Sequence, residues 1–369
     1  MNSQFHLLPD GIKIRRELSA MVAGAVDSIC VVMYIFSDDT AGHSVMSELA
    51  NAARRGVRVK LIIDGFGSAF TPDRFFAPLS EAGGRIQRFN TGWHPRYWFR
   101  NHQKFVIADG RSALTGGFNI GDPYFGDGIK SGWREAGIRV DGFMVGELQD
   151  YFSTLWNALA RGIFKLRDLT NAMQPVCGPV RDVEWVISCP AIGQSLYSKY
   201  LGKDLSRSSR LSVVMGYFIP TASLRRTIGK ISRRGKVVLV LSHTTDVPFS
   251  RHAAGFTFRR MLRDGCEIYE YHPRPLHAKL IVIDDIVYIG STNIDVRSLH
   301  LNFEMSLRIP DAKLAVEALQ LVQNDIGHSA RITQDIYDRN SSIFQRFIRR
   351  LSYTLLSRFD YFFSRKFLD

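Results

Sequence analysis

Apolar positions fall into short continuous runs that alternate with longer stretches in which they recur at helical spacing. The run SICVVMYIF (28–36) reads as a buried strand, and SVMSELANAARRGVRVKLIIDGF (44–66) as helix, Arg-Arg-Gly turn and strand. The same order returns in RLSVVMGYFIP (210–220) and SLRRTIGKISRRGKVVLVLS (223–242), with the same Arg-Arg-Gly punctuation. Strand, helix and strand in that order predict a parallel pair joined by a right-handed crossover. Each half then adds a strand near Arg85-Ile86-Gln87 or Glu267-Ile268-Tyr269, a hairpin, and a further strand at Ala136–Val140 or Glu304–Ile309. A helix closes each half, GELQDYFSTLWNALA (146–160) and AKLAVEALQLVQNDI (312–326).

This internal repeat predicts a duplicated α/β chain: two similar lobes, each a mixed, largely parallel sheet flanked by helices, packed face to face around one site. The stretch from about Arg161 to Glu184, broken by Pro175, Gly178 and Pro179, reads as the connector. The expected division is a first lobe at 1–172, a second at 173–335, and a tail at 336–369.

The two hairpins carry the chemistry. They read NHQKFVIADGRSALTGGFN (101–119) and LHAKLIVIDDIVYIGSTN (276–293), so the phrase H-x-K-x4-D occurs twice, as His102, Lys104, Asp109 and as His277, Lys279, Asp284. On an extended segment, residues two apart face the same side, which aims one imidazole and one ammonium at a common spot. One His-x-Lys is ordinary. Two, each followed by a glycine-rich return ending in Asn, point to paired histidines that divide nucleophilic and acid/base duties.

Composition narrows the partner. The 369 residues are 45% hydrophobic and 22% charged, which fits a globular chain, and 48 Lys and Arg against 35 acidic residues leave a net charge of +13. An anionic substrate or surface is expected, with nucleic acid and phospholipid both open on charge alone. Cys30, Cys177, Cys189 and Cys266 are scattered without metal-like pairing, as in a reducing compartment. The first residues lack the apolar core of an export signal, and no later stretch has the length to span a bilayer, so a soluble or peripheral protein is expected.

On these residues the chain resembles the phospholipase D superfamily, whose bilobal members bring two H-x-K-x4-D motifs to one site. The likeness covers roughly residues 20–330, judged on motif and order. LHAKLIVID with GSTNIDVRSLHLNFE, and GGFNIGDPYF with WREAGIRVDG, look most like bacterial cardiolipin synthases. The chain departs from the pattern at Gly117, where the family usually has Ser; the second motif keeps Ser291. Its second hairpin is one residue shorter, and the amino-terminal transmembrane pair of some relatives is missing.

The resemblance implies a phosphatidyltransferase acting through a covalent phosphohistidine, most concretely one joining a phosphatidyl group to phosphatidylglycerol and releasing glycerol. Hydrolysis by a phospholipase D and cleavage of nucleic acid are the alternatives. It implies His102 as nucleophile and His277 as acid/base, although the symmetry of the motifs permits the reverse. Lys104, Lys279, Asn119 and Asn293 would hold the phosphoryl oxygens with help from Ser291, while Glu135 and Glu304 would fix the tautomers of the histidines. Asp109 and Asp284, placed at the hairpin turns, are expected to pair with backbone or with a basic neighbour across the lobes.

The tail SSIFQRFIRRLSYTLLSRFDYFFSRKFLD (341–369) sets Phe344, Phe347, Ile348, Leu351, Leu355, Phe359 and Phe362 near helical spacing among Arg346, Arg349, Arg350, Arg358, Arg365 and Lys366. Such a helix suits an anionic bilayer surface or the body of the protein. A second aromatic and basic segment, WHPRYWFRN (93–101), suits a lipid headgroup rim or stacked bases equally. The reading is therefore a peripheral protein at the cytoplasmic face of the membrane, with a phospholipid substrate rather than nucleic acid. No obligate protein partner is implied, and a monomer holds both histidines. The motif lysines supply the charge usually given to a metal ion, so no cofactor is expected. Activity should accordingly survive excess EDTA, and a loss restored by a divalent cation would refute this part of the mechanism.

Overall fold

The computed structural model describes residues 3–89, 99–162, 183–189, 195–245 and 247–359. The expected lobe boundary near residue 172 and most of the connector lie outside them. The first lobe contains β1 (Gln4–Leu8), β2 (Ser28–Met33), β3 (Arg58–Asp64), β4 (Arg85–Phe89), β5 (Phe105–Ala108), β6 (Ser112–Gly116) and β7 (Gly137–Asp141). The second contains β8 (Glu184–Ser188), β9 (Arg210–Met215), β10 (Lys236–Ser242), β11 (Glu267–Tyr271), β12 (Lys279–Ile283), β13 (Ile286–Gly290), β14 (Glu304–Pro310) and β15 (Ser329–Ile332).

The strand orders are β1-β7-β6-β5-β2-β3-β4 and β15-β11-β10-β9-β12-β13-β14-β8. Without β1, β8 and β15, which extend the edges, the two orders superpose element for element, as the sequence repeat requires. Both sheets are mixed, but the parallel content is smaller than expected. Only β2, β3 and β4, and likewise β9, β10 and β11, pair in parallel. The strand–helix–strand units end at the motif hairpin, whose own two strands pair antiparallel. β5 and β12 also join β2 and β9 antiparallel.

Local signals account for the helices. Asp10, Asp39, Thr221 and Asp311 accept backbone N–H bonds as N-caps of Gly11–Gly24, Thr40–Arg54, Ala222–Arg234 and Ala312–Gly327. Helices cover the outer face of each sheet, and the helices Met144–Ala160 and Ala312–Gly327 lie between the sheets. The middle core draws Val32, Phe105, Ile107 and Ile138 from the first lobe together with Val214, Leu280, Met305 and Leu307 from the second. Val106 and Ala108 face a separate outer core, as do Ile281 and Ile283 in the other lobe. β5 and β12 are buried on both faces, which is why they read as continuous apolar runs rather than alternating ones.

Directional bonds fix the lobes against each other. Arg134 forms a two-pronged ion pair with Asp325, Nε to Oδ1 at 2.6 Å and a terminal nitrogen to Oδ2 at 2.9 Å, with both side chains buried. The Tyr271 hydroxyl donates to Gly128 O at 2.9 Å, and Trp185 Nε1 donates to Met144 O at 2.8 Å. Removing one partner of a buried ion pair strands the other charge, so Arg134→Met should cost about 3–5 kcal/mol. The double variant Arg134→Met, Asp325→Leu should recover most of that in urea denaturation; equal losses in single and double variants would show that the pair does not hold the lobes.

Candidate active site

Each motif hairpin is tied down at its tip. The loop between β5 and β6 has three residues, with Ala108 facing Ser112, and the loop between β12 and β13 has two, with Ile283 facing Ile286. This accounts for the shorter second motif. Asp109 and Asp284 occupy the left-handed region, with φ of 54° and 48°, which an Asp tolerates better than most side chains. Their carboxylates accept from backbone at the start of the adjoining strand. Asp109 takes the N–H groups of Val26, Asp27 and Ser28, and Asp284 those of Ser209 and Arg210. Burial works to raise the pKa of Asp109, but these three donors outweigh it and hold the group below its ordinary value. Of the two partners expected, backbone or a basic neighbour across the lobes, the backbone is the one observed. Each Asp bonds within its own lobe, because β2 and β9 run beside their own hairpins and present unpaired N–H groups at the tip.

The other ends of β5 and β12 meet the opposite lobe. Asn101 forms a parallel bridge with Phe303, and Leu276 one with Arg134. The His102 N–H donates to Phe303 O and the His277 N–H to Arg134 O, both at 2.9 Å. The residue after each bridge partner is a glutamate, so the carboxylates are exchanged between lobes. His102 Nδ1 lies 2.9 Å from Glu304 Oε1, and His277 Nδ1 lies 2.6 Å from Glu135 Oε1. Both glutamates are fully buried. A carboxylate on Nδ1 places the imidazole proton there and leaves Nε2 as the reactive nitrogen.

The two pairs are not equivalent. The Ser291 hydroxyl donates to Glu304 Oε2, and Asn302 Nδ2 donates to Glu304 Oε1 at 3.4 Å. Glu135 Oε2 is buried and has no hydrogen-bond partner among the described residues. It faces Gly117, where a Cβ would come within 2.7 Å of that oxygen and 2.8 Å of the His277 carbonyl. The missing motif serine of the first lobe thus corresponds to a missing hydroxyl beside Glu135. Ser291 itself, expected at the phosphate, is spent on Glu304 and on the Met305 N–H.

Charges are buried around both rings. Lys104 Nζ donates to its own His102 carbonyl at 2.7 Å, and Lys279 Nζ donates to that of His277 at 2.5 Å. Burial pushes the Lys104 ammonium down to about 7, against the pull of Glu304. Burial pushes the Glu304 carboxyl up to about 7, opposed by Lys104 and by hydrogen bonds from Ser291 and its neighbours. His102 is held well below the ordinary imidazole value, first by burial and then by Lys104 and Lys279. His277 is also lowered by burial and Lys279, but Glu135 works the other way.

Both histidines open onto one cavity of about 410 Å³, which Asn119 and Asn293 also line. Asn119 Oδ1 accepts from the Ile35 N–H, whereas Asn293 Oδ1 is buried without a partner among the described residues. The lysines stand behind the histidines rather than in the cavity wall. Aromatic rings frame the imidazoles: Tyr34 lies edge-on to His102 at 4.8 Å, and Tyr124 and Trp133 lie within 5.5 Å of His277. Arg100 and Arg297 add positive charge to the wall.

Several of these residues carried no recognised signal in the sequence. Asp64, at the end of β3, accepts from the Asn101 N–H at 2.8 Å, and Ser242, at the end of β10, accepts from the Leu276 N–H at 2.8 Å. These two side chains hold the residue just before each histidine. Tyr34 and Tyr217 follow Met33 and Met215 at the ends of equivalent strands, a repeated aromatic that comparison of the halves could have found. In the aromatic segment 93–101, Trp93, Tyr97 and Trp98 lie outside the described residues. Phe99 is buried, so it is not part of a rim.

Comparison with known proteins agrees with this geometry. The family described as cardiolipin synthase, PLD-like domain, matches residues 18–156 and 203–326. Cardiolipin synthase A of Pseudomonas entomophila is 31% identical over 90% of this chain and 71% of its own length. The major cardiolipin synthase ClsA of Bacillus subtilis is 32% identical over 90% of this chain and 70% of its own. Among solved structures, phosphatidylserine synthase of Haemophilus influenzae shares the fold with a TM-score of 0.72 and 14% identity, over 95% of this chain and 92% of that one. With two lobes, two motifs and one cavity shared between their histidines, the chain belongs to the cardiolipin synthase family of phospholipase D-like phosphatidyltransferases.

Proposed function

We propose that the protein moves a phosphatidyl group from one phosphatidylglycerol to the free hydroxyl of a second, releasing glycerol, through a phosphohistidine on His102. The observation that carries this reading is the pair of imidazoles on one cavity, each tied at Nδ1 to a buried carboxylate of the opposite lobe. His102 Nε2 attacks phosphorus, the bond to the glycerol oxygen breaks, and protonated His277 gives its proton to that oxygen. The acceptor hydroxyl then loses its proton to His277 and attacks phosphorus, and the phosphorus–nitrogen bond breaks to free His102. Water in place of the acceptor would give phospholipase D hydrolysis.

The unequal surroundings support these roles. Burial and two neighbouring ammonium groups keep His102 neutral, as a nucleophile must be, while Glu135 favours the cationic form of His277 that an acid needs. Lys104 and Lys279, buried behind the histidines, add positive charge that stabilises the bound phosphate from behind the cavity wall. Asn119 and Asn293 stand in the cavity wall for the phosphoryl oxygens. Asp109 and Asp284 act on the hairpins and not on the substrate. Net positive charge and the free thiols of Cys30 and Cys266 support a place on the anionic cytoplasmic face of the membrane, as a peripheral protein.

Vesicles containing phosphatidylglycerol should yield the diphosphatidyl product and glycerol, while plasmid DNA stays intact; nicking without lipid turnover would reverse the assignment. His102→Ala and His277→Ala should each lower turnover by about 10²–10⁴-fold. A phosphodiester lipid with a 4-nitrophenol leaving group needs no proton donor, so His277→Ala should still release nitrophenol in a burst and His102→Ala should not. The opposite pattern would exchange the two roles.

The pH dependence follows from the same groups. His102 stays neutral down through its lowered pKa, so the acid limb of kcat/KM should lie below pH 6.5. Lys104 loses its charge as pH rises through about 7, so kcat/KM should fall above neutrality. Bound phosphodiester stabilises the ammonium, which should move the alkaline limb of kcat to higher pH. A kcat/KM profile flat from pH 6 to 9 would show that neither the Lys104 charge nor protonated His277 acts in the reaction.

A further inference from the structure

The carboxy-terminal helix Ile343–Thr354 sits on the protein in an inverted manner. Its N-terminus is closed by a capping box between Ser342 and Gln345. An amphipathic helix docked on a domain ordinarily turns its apolar face inward. Here the inward face is polar and aromatic. Arg349 bonds to Ser341 Oγ and Asn340 O and lies over the Tyr337 ring. Ser352 is buried, and Tyr353 stacks on Phe256 and donates to Pro220 O at 3.1 Å. These contacts fix the helix to Pro248–Arg263.

The outward face is apolar. Ile343, Phe344, Phe347, Leu351 and Leu355 are 87%, 71%, 63%, 47% and 39% exposed. At about 100° per residue they fall within one third of the helix circumference. Arg346 and Arg350 lie along one edge of that stripe. Val247 and Phe249, at the start of the helix on which it packs, are also exposed, at 42% and 61%. No other stretch among the described residues concentrates exposed apolar side chains in this way.

The end of the helix that bears the stripe, rather than the stripe itself, reaches the catalytic cavity. Leu356, one residue beyond Leu355, lines the cavity together with Val247 and Ser250, the same cavity that holds His102 and His277. The two helix ends that carry the apolar residues are therefore also part of its wall.

We propose that this helix pair is the face on which the protein settles onto an anionic bilayer, with the stripe inserted at headgroup level, so that lipid passes from the leaflet into the cavity beside Leu356. This rests on the phosphatidyltransfer reading and adds to it the docking face and the route of entry. Apolar rings beside arginines suit that depth, because the rings leave water while the guanidinium groups meet lipid phosphates. The helix is then both anchor and cavity wall, which settles the two uses that the tail allowed in the sequence into one.

The test uses the full chain with Phe344→Ser, Phe347→Ser and Leu351→Ser combined; all three side chains are exposed and none touches the cavity. Co-sedimentation with vesicles of phosphatidylglycerol and phosphatidylcholine should fall at least about tenfold, since each lost ring or isobutyl group removes more than a factor of ten at full burial. Turnover of phosphatidylglycerol in those vesicles should fall in parallel. Turnover of water-soluble dihexanoyl phosphatidylglycerol should stay within about twofold of the parent, because the cavity is untouched. Unchanged co-sedimentation would overturn the proposal, and so would a parent dimer that the variant converts to monomer without loss of vesicle binding, since the stripe would then belong to a contact between copies. Failure of the parent protein to turn over the soluble lipid would instead count against the phosphatidyltransfer reading, with the vesicle result standing separately.

Discussion

The exchange of carboxylates between lobes is the constraint on which the rest depends. Each histidine is delivered by one lobe and oriented by the other, through a backbone bridge that sets Glu304 against His102 and Glu135 against His277. Neither lobe alone supplies the carboxylate that orients its motif histidine. The lobes must consequently be held in a fixed relation, and the buried Arg134–Asp325 pair, the Tyr271 and Trp185 bonds and the shared middle core all serve that end. Arg134 links the two functions directly, since its carbonyl accepts from His277 while its guanidinium holds Asp325.

Near-symmetry of the halves creates a difficulty that the chemistry has to break. Two identical imidazole–carboxylate pairs would titrate alike, whereas a nucleophile and an acid need different protonation at one pH. The break comes from small differences at equivalent positions. Ser291 and Asn302 support Glu304, while Gly117 leaves Glu135 Oε2 without a partner among the described residues. Crowding by the Glu135 carboxylate and the His277 carbonyl leaves no room for a side chain at Gly117, so the loss of the motif serine fits the packing of this lobe. His102 and His277 respond with different depressions of their basicity.

The hairpins position this apparatus through their tips as well as their bases. Asp109 and Asp284 hold strained turns against the strands beside them, while Asp64 and Ser242 hold the segment just before each histidine. A motif that looks like one catalytic phrase is thus divided in labour: His at the cavity, Lys behind it, Asp at the far end of the strand. The length of β5 or β12 keeps the Asp at the turn, away from the cavity the histidines share.

Much of this was legible in the chain itself. The order of strands and helices, the duplication, the motif residues and the glutamates follow from hydrophobic periodicity and from like spacing in the two halves, because local geometry repeats wherever the sequence does. Edge strands β1, β8 and β15 went unread, all being short and β1 and β15 half-exposed besides, and the parallel content was overestimated because pairing direction depends on partners distant in sequence. Which glutamate serves which histidine, that Ser291 supports Glu304 rather than phosphate, and that Asp109 and Asp284 stay within their own lobes were likewise decided only by the fold. So was the outward turn of the tail's apolar face: its amphipathic pattern was evident, but the direction it faces was fixed by Tyr353 and Arg349 locking the other side to the body. Sequence sets what each segment can bury or bond. Tertiary structure sets which partner is within reach, since hydrogen bonds and ion pairs act only over a few ångströms.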